Sequence, residues 1–284
     1  MEIINRRQRI SSVARKHRRD NKTIGFVPTM GALHEGHLAL VREARQMSDI
    51  VIVSIFVNPT QFNEKQDFEK YPRDITADAS LLSEYNVDYL FAPSEEEMYA
   101  DKFSTYVNVE GITETLEGEF RPGHFRGVAT VVTILLNTVR PDFAFFGQKD
   151  AQQVAVIKRL TLDLGFDSEI VVVPTLREAS GLAMSSRNEL LTAEQRDKAA
   201  VIYAGLKAAE SMATSGETNS DTLIEEVKRS IVREPDANLE YVAITDPDSF
   251  APISKLGDRR ALITVAVRFG EIRLIDNIII ESGQ

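Results

Sequence analysis

The sequence of 284 residues predicts an α/β fold: a Rossmann-like, doubly wound parallel sheet with a smaller C-terminal α+β domain. Three observations predict it. Strand-like and helix-like segments alternate through residue 175, which is the pattern of βαβ units. The run DIVIVSIFV (49–57) is apolar without alternation, as in a strand covered on both faces. After Asn188 the pattern changes to amphipathic helices followed by alternating strands. The chain is longer than a typical single domain, so two are expected, 1–184 and 185–284.

Each element has its own signal. TIGFVPT (23–29) reads as a strand, and HLALVREARQM (37–47) spaces Leu38, Val41, Ala44 and Met47 as a helix face. NPTQF breaks the strand that precedes it. A helix is expected over 74–85 and a short strand over 87–93. GVATVVTILLNTV (127–139) suits strand or helix by composition; its length and its glycine start favour a buried helix. DFAFFG (142–147) is a strand, 151–165 a helix ending at Gly165, and EIVVVPT (169–175) a strand. Thr192, with Gln195 three residues on, opens a helix through a capping box. Another helix runs from Ser220 and stops before Pro235. Two alternating strands around Phe269-Gly270 make an antiparallel hairpin.

Composition narrows the function. Hydrophobic residues are 43% and charged residues 27%, enough for a buried core. The net charge of −10 disfavours nucleic acid as a partner, since phosphate contacts need a basic surface. With no cysteine, disulfides, thiolate zinc sites and thiol nucleophiles are excluded, and the cytoplasm is a suitable compartment. No apolar run reaches the ~18 residues of a membrane helix. The basic segment 1–21 lacks the apolar stretch of a secretory signal. A transit peptide is the other reading of it, set aside because a strand follows immediately.

In doubly wound sheets ligands bind beyond the C-terminal strand ends. That rule selects PTMGALHEG, NPTQF, GQKD and LREASGLAMSSRN. In PTMGALHEGHL, His34 and His37 are i, i+3, not the i, i+4 of a zinc-protease helix, and Gly36 argues against one helix through both. Gly31 and Gly36 have P-loop spacing, but His37-Leu38 replaces Lys-Ser/Thr. A strand, a turn and a helix beginning near His37 remain, which suit a phosphate. A turn merely capped by histidines is the alternative. Asn58 and Gln61 are amides suited to a carboxylate or hydroxyl, or members of a proline turn. Gly147 allows close backbone approach, Lys149 can meet phosphate, and Asp150 can cap a helix or hold a hydroxyl. Ser185, Ser186 and Arg187 form an anion clamp or a solvated linker. Arg121, His124 and Arg126 lie in a basic loop of substrate contacts or a simple turn.

Taken in order, PTMGALHEGHL, FVNPTQF, RPGHFRG, FGQKDAQQ and GLAMSSRN resemble the pantothenate synthetase (pantoate–β-alanine ligase) family. His34–His37 also resembles the H-x-G-H of a wider nucleotidyltransferase superfamily. The resemblance implies that ATP and (R)-pantoate form pantoyl adenylate and pyrophosphate with Mg²⁺, and that β-alanine then displaces AMP. It implies an ATP site of Met30, Gly31, Ala32, Leu33, His34, Glu35, Gly36, His37, Gly147, Gln148, Lys149, Asp150, Leu176, Met184, Ser185, Ser186 and Arg187. His37, His34 and Lys149 are the implied catalytic residues. Gln61, Gln153, Asn58 and Arg126 are the implied contacts to pantoate and β-alanine. Asp74 and Asp78 match an acidic metal-binding pattern only loosely, so the metal ligands stay open. The resemblance further implies a homodimer. A related nucleotidyltransferase and a non-catalytic nucleotide-binding module are the competing readings.

Overall fold

The computed structural model describes residues 1–63, 68–69 and 71–281. The chain forms two compact units, Met1–Gly147 with Val156–Val173, and Gln148–Ala155 with Pro174–Gln284. The sequence draws one cut after 184; the structure's division is discontinuous and falls at Val173, where the parallel sheet ends. Residues 148–155 go with the second unit because Asn277 holds their start through its amide.

The first unit is a parallel sheet of β1 (Glu2–Ile4), β2 (Ile24–Thr29), β3 (Ile50–Ile55), β4 (Tyr89–Phe91), β5 (Phe143–Gly147) and β6 (Glu169–Val173). Its order is β1-β4-β3-β2-β5-β6, all parallel. The chain winds outward from β2 through β3 and β4, then returns to β5 and winds the other way. The switch point therefore lies between β2 and β5, where such sheets bind ligands. Helices α1 (Arg7–Arg19), α2 (Glu35–Met47), α3 (Ile75–Ser83), α4 (His124–Val139) and α5 (Ala151–Asp163) connect the strands. Leu38, Val41 and Ala44 of α2 pack with Val27, Val51, Val53 and Phe145 of the sheet. Each such fully buried Val, Leu or Phe contributes about 1.5–3 kcal/mol.

The basic N-terminal segment belongs to this fold. Glu2–Ile4 pairs with Tyr89–Phe91, and α1 buries only Ile10, Val13 and Ala14. That i, i+3, i+4 stripe is too narrow to stand out among so many arginines.

The second unit holds α6 (Ala193–Lys198), α7 (Val201–Thr214), α8 (Ser220–Val232) and an antiparallel sheet of β7 (Ala237–Thr245), β8 (Ala261–Phe269) and β9 (Ile272–Ile280). The capping box at Thr192 and Gln195 is formed, and Phe269 pairs with Ile272 across the hairpin. The expected two-stranded hairpin is in fact a three-stranded sheet. The sequence hides β7 because the register shifts between Leu239 and Tyr241, which breaks period-two alternation. Ile263, Val265, Val267, Leu274 and Ile280 line its apolar face against Leu206, Leu223 and Val227. No helix among the described residues is long and apolar enough to cross a membrane.

Candidate active site

The turn after β2 is held from below. Gly31 (φ +82°) and Ala32 (φ +51°) are consecutive left-handed residues, a costly conformation for alanine. Thr29 Oγ1 accepts from Gly31 N–H at 3.2 Å and donates to Ser54 O at 2.8 Å. Asp78, 6% exposed, accepts from Ala32 N–H at 3.0 Å and from Leu33 N–H at 2.9 Å. Burial raises the Asp78 carboxyl above its ordinary pKa, and the two backbone donors oppose that shift. A Cβ on Gly31 would come within 2.9 Å of Asp78 Oδ2, so the position needs glycine for space as well as for φ.

Beyond the turn, α2 begins at Glu35 rather than near His37, and Gly36 lies inside its first turn. His34 is the N-cap. Its Nδ1 accepts from Gly36 N–H at 3.1 Å, and His37 Nδ1 accepts from His34 N–H at 3.3 Å. Two imidazoles thus build a capping box usually made from Ser/Thr and Glu/Gln. Their ring centroids are 4.2 Å apart. Because each Nδ1 accepts, each neutral ring carries its proton on Nε2. The capping reading and the phosphate reading are therefore compatible: one nitrogen caps and the other is a donor. The Glu35 carboxylate is engaged with Arg42 at 3.2 Å on the surface, which leaves its backbone as the part facing the helix start.

The NPTQF turn places Gln61 with its amide oriented. Asn58 Nδ2 donates to Gln61 Oε1 at 3.1 Å, and Gln61 Nε2 donates to Met30 Sδ at 2.9 Å. Asn58 is 1% exposed and its amide is committed. It donates to Gly127 O and accepts from Thr60 and from Tyr99 O–H at 2.7 Å. Asn58, a substrate contact in the sequence reading, is thus also a support for the Gln61 side chain. Gly127 brings α4 against this turn, since a Cβ there would sit 2.4 Å from Thr60 O. Arg126 lies on the first turn of α4. It is exposed, with its guanidinium 3.9 Å from the Tyr106 ring centroid, because it faces outward from the first turn of α4. Arg121 and His124 are the residues that reach Gln61, whose carbonyl lies 3.4 Å from Arg121 Nη2 and 2.8 Å from His124 Nδ1.

In the second unit, Gln148–Asp150 form a 3-10 turn that leads into α5. Lys149 Nζ lies 3.6 Å from Asp150 Oδ1, with Lys149 mostly buried and Asp150 half exposed. The Gln148 side chain donates to Asn277 Oδ1, and the Gln148 and Lys149 carbonyls accept from Asn277 Nδ2, so this turn is held by Asn277 through side chain and backbone. Gln153 is half-buried on the first turns of α5. Leu176 accepts from Met184 N–H through its carbonyl, and Met184–Arg187 are half-buried. Ser185 Oγ accepts from Arg187 N–H at 3.3 Å and caps the short helix that follows. Glu178 accepts from Asn188 and from Arg196, and Asn188 also donates to Ala183 O. The Arg196 hydrogen bond holds the Glu178 carboxyl below its ordinary pKa. Sequence reasoning misses Thr29, Tyr99 and Asn277, and takes Asp78 for a loose metal candidate. Their partners are distant in sequence, so spacing carries no signal for them.

A parallel sheet with this switch point and a His-x-Gly-His helix start directly after β2 defines the class: a Rossmann-like α/β protein of the H-x-G-H type. The comparisons narrow it. The model of the Pantoate-beta-alanine ligase family matches residues 2–279, and the chain belongs to that family. A pantothenate synthetase of Carboxydothermus hydrogenoformans is 52% identical over 267 residues, covering 94% of each chain. One of Caldicellulosiruptor bescii is 48% identical over 282 residues, covering 99% of this chain and 100% of the relative. The crystal structure of pantothenate synthetase from Thermus thermophilus aligns with a TM-score of 0.92 at 44% identity, over 98% of this chain and 99% of that one. Pantoate-beta-alanine ligase from Francisella tularensis, complexed with beta-gamma ATP and beta-alanine, aligns with a TM-score of 0.81 at 38% identity, over 98% and 97%.

Proposed function

We propose that this chain condenses (R)-pantoate with β-alanine to pantothenate, through a pantoyl adenylate, with release of AMP and pyrophosphate. A pantoate carboxylate oxygen attacks the α-phosphorus of ATP, and the bond to the pyrophosphate oxygen breaks. The β-alanine amine then attacks the acyl carbon, loses a proton, and AMP leaves with the former carboxylate oxygen. Catalysis of this kind is mostly positioning and charge neutralisation. The observation that carries the proposal is the imidazole capping box. It commits the Nδ1 atoms of His34 and His37, which supports a reading in which their Nε2–H groups donate to phosphate without either ring being charged. A helix N-terminus adds its own attraction for phosphate.

The remaining roles follow by residue. Met30–His37 and Gly147–Asp150 bind ATP, with Lys149 on phosphate and Asp150 near the ribose. Leu176 meets adenine through its backbone, and Met184–Arg187 meet the phosphates. Gln61 and Gln153 bind pantoate, and Gln61 also helps to admit β-alanine. Neutral amides suit a carboxylate that must stay nucleophilic. Support from the Francisella enzyme is that it was solved in complex with beta-gamma ATP and beta-alanine.

Mg²⁺ is part of the proposal as a companion of ATP. Asp74 and Asp78 commit their carboxylates to Ala77, Ala32 and Leu33 N–H groups, and no group of three or more His, Asp or Glu among the described residues forms a metal cage. That donor set fits a metal held by triphosphate oxygens, where it would neutralise phosphate charge. A homodimer acting in the cytoplasm completes the reading, supported by the family resemblance and by the absence of cysteine. The test is an assay of AMP and pyrophosphate with and without pantoate. Equal amounts of both, strictly dependent on pantoate, are expected; ADP and phosphate would refute the proposal.

A further inference from the structure

The second unit contains a buried carboxylate that its own core does not need. Asp276 lies on the apolar face of the β7–β9 sheet, paired in register with Val265 and only 3% exposed. A charge there weakens a core unless it is fully partnered. Its partner is Arg177, gripped at 2.6 Å and 3.0 Å by both carboxylate oxygens. Arg177 in turn stacks on Tyr203, 3.8 Å from the ring centroid, and donates to Gly181 O at 3.2 Å. Its backbone bridges to Ala183, directly before Met184–Arg187.

The next residue, Asn277, points to the opposite face, as successive strand residues do. It is 4% exposed. Its Nδ2 donates to Gln148 O at 3.0 Å and to Lys149 O at 2.8 Å, while its Oδ1 accepts from Gln148 Nε2 at 3.1 Å. The pleat at one point of β9 therefore grips two loops, one on each face.

We propose that Asp276 and Asn277 are positioning residues for the nucleotide. Asn277 sets the turn from which Lys149 projects, and Asp276, through Arg177, sets the base of the segment that leads to Ser185–Arg187. The inference rests on the reading that these two segments meet ATP. It gives the C-terminal sheet a role in ATP affinity that acts through the two loops held by Asp276 and Asn277.

The test uses full-length Asn277→Ala, Asn277→Asp and Thr264→Val. Thr264 is the buried cross-strand neighbour of Asn277, and valine there keeps the shape. In pantoate-dependent AMP release, both Asn277 variants are expected to raise the KM for ATP about tenfold, with the KM for β-alanine within about twofold of wild type. Thr264→Val is expected to keep the wild-type KM for ATP. An unchanged KM for ATP in either Asn277 variant overturns the proposal. So does a parallel shift of both constants that tracks loss of folded protein, or failure of both variants to fold. If the wild-type chain releases no AMP with pantoate, the functional reading fails first. Calorimetric ATP affinity of the same variants then decides the positioning role alone, with about a tenfold weakening expected and equal affinities overturning it.

Discussion

A histidine at a helix start can cap with one nitrogen and donate with the other; His34 and His37 cap through Nδ1, and the proposed function gives their Nε2 atoms the second task. The two tasks separate by substitution. Asparagine is itself a good N-cap, whereas alanine is not. His34→Asn is therefore expected to melt like wild type, and His34→Ala to lose about 1 kcal/mol of stability; equal melting of the two variants in a denaturant titration contradicts the capping role. His37→Ala is expected to lower kcat about a hundredfold or more while changing the KM for ATP much less, as for a contact made mainly in the transition state. An unchanged kcat removes His37 from the mechanism. Asp78 acts one step further back. Asp78→Asn keeps one oxygen acceptor and turns an NH₂ toward the other backbone donor, at a cost of about 1–3 kcal/mol. Because the clamp holds Gly31–Leu33, steady-state kinetics of the variant should also give a higher KM for ATP. Wild-type stability and KM together would mean that the turn holds itself.

Elements are positioned by close approaches that a few residues permit. Gly127 allows α4 to meet the Asn58–Gln61 turn. Gly127→Ala is expected to cost about 1–3 kcal/mol and to lower activity through displaced Gln61; thermal melting and pantoate kinetics measure the two effects, and wild-type values for both would contradict the packing argument. In the second unit, Glu178 ties Arg196 to Asn188 and so steadies residues 183–188. Its pKa is depressed in the folded state. The stability it contributes is thus present above its unfolded value of about 4.3 and is lost as pH falls through the lower folded value. Urea unfolding across that acidic window should show the loss in wild type and a flatter profile in Glu178→Gln. The same elements explain what is legible in the sequence. β2, β3 and α2 carry apolar patterns or clear breakers, so they can be read directly, whereas composition leaves α4 open and its length favours a helix. α1 buries too few residues to be seen, and the bulge in β7 erases its alternation. The five loops are legible as a set because their residue types and order are specific. Asp78, Tyr99 and Asn277 are not, because they act through partners far away in sequence. Residue type alone assigns Asn58 and Arg126 to substrate; the structure adds that Asn58 also braces Gln61 and that Arg126 stacks on Tyr106, neither of which spacing announces.

For the molecule as a whole, an acidic chain without cysteine must bind a highly charged nucleotide by local arrangement rather than by net charge. The proposed site uses helix starts, backbone amides and few cations, which suits a chain that is acidic overall. It also predicts where atoms go. If a pantoate carboxylate oxygen attacks the α-phosphorus and β-alanine later cleaves the acyl–oxygen bond, that oxygen stays with AMP. The direct measurement is turnover of carboxylate-¹⁸O-labelled pantoate followed by mass spectrometry of the nucleotide product. The account predicts AMP carrying ¹⁸O transferred from pantoate; unlabelled AMP, or label appearing in inorganic phosphate beside ADP, would contradict it.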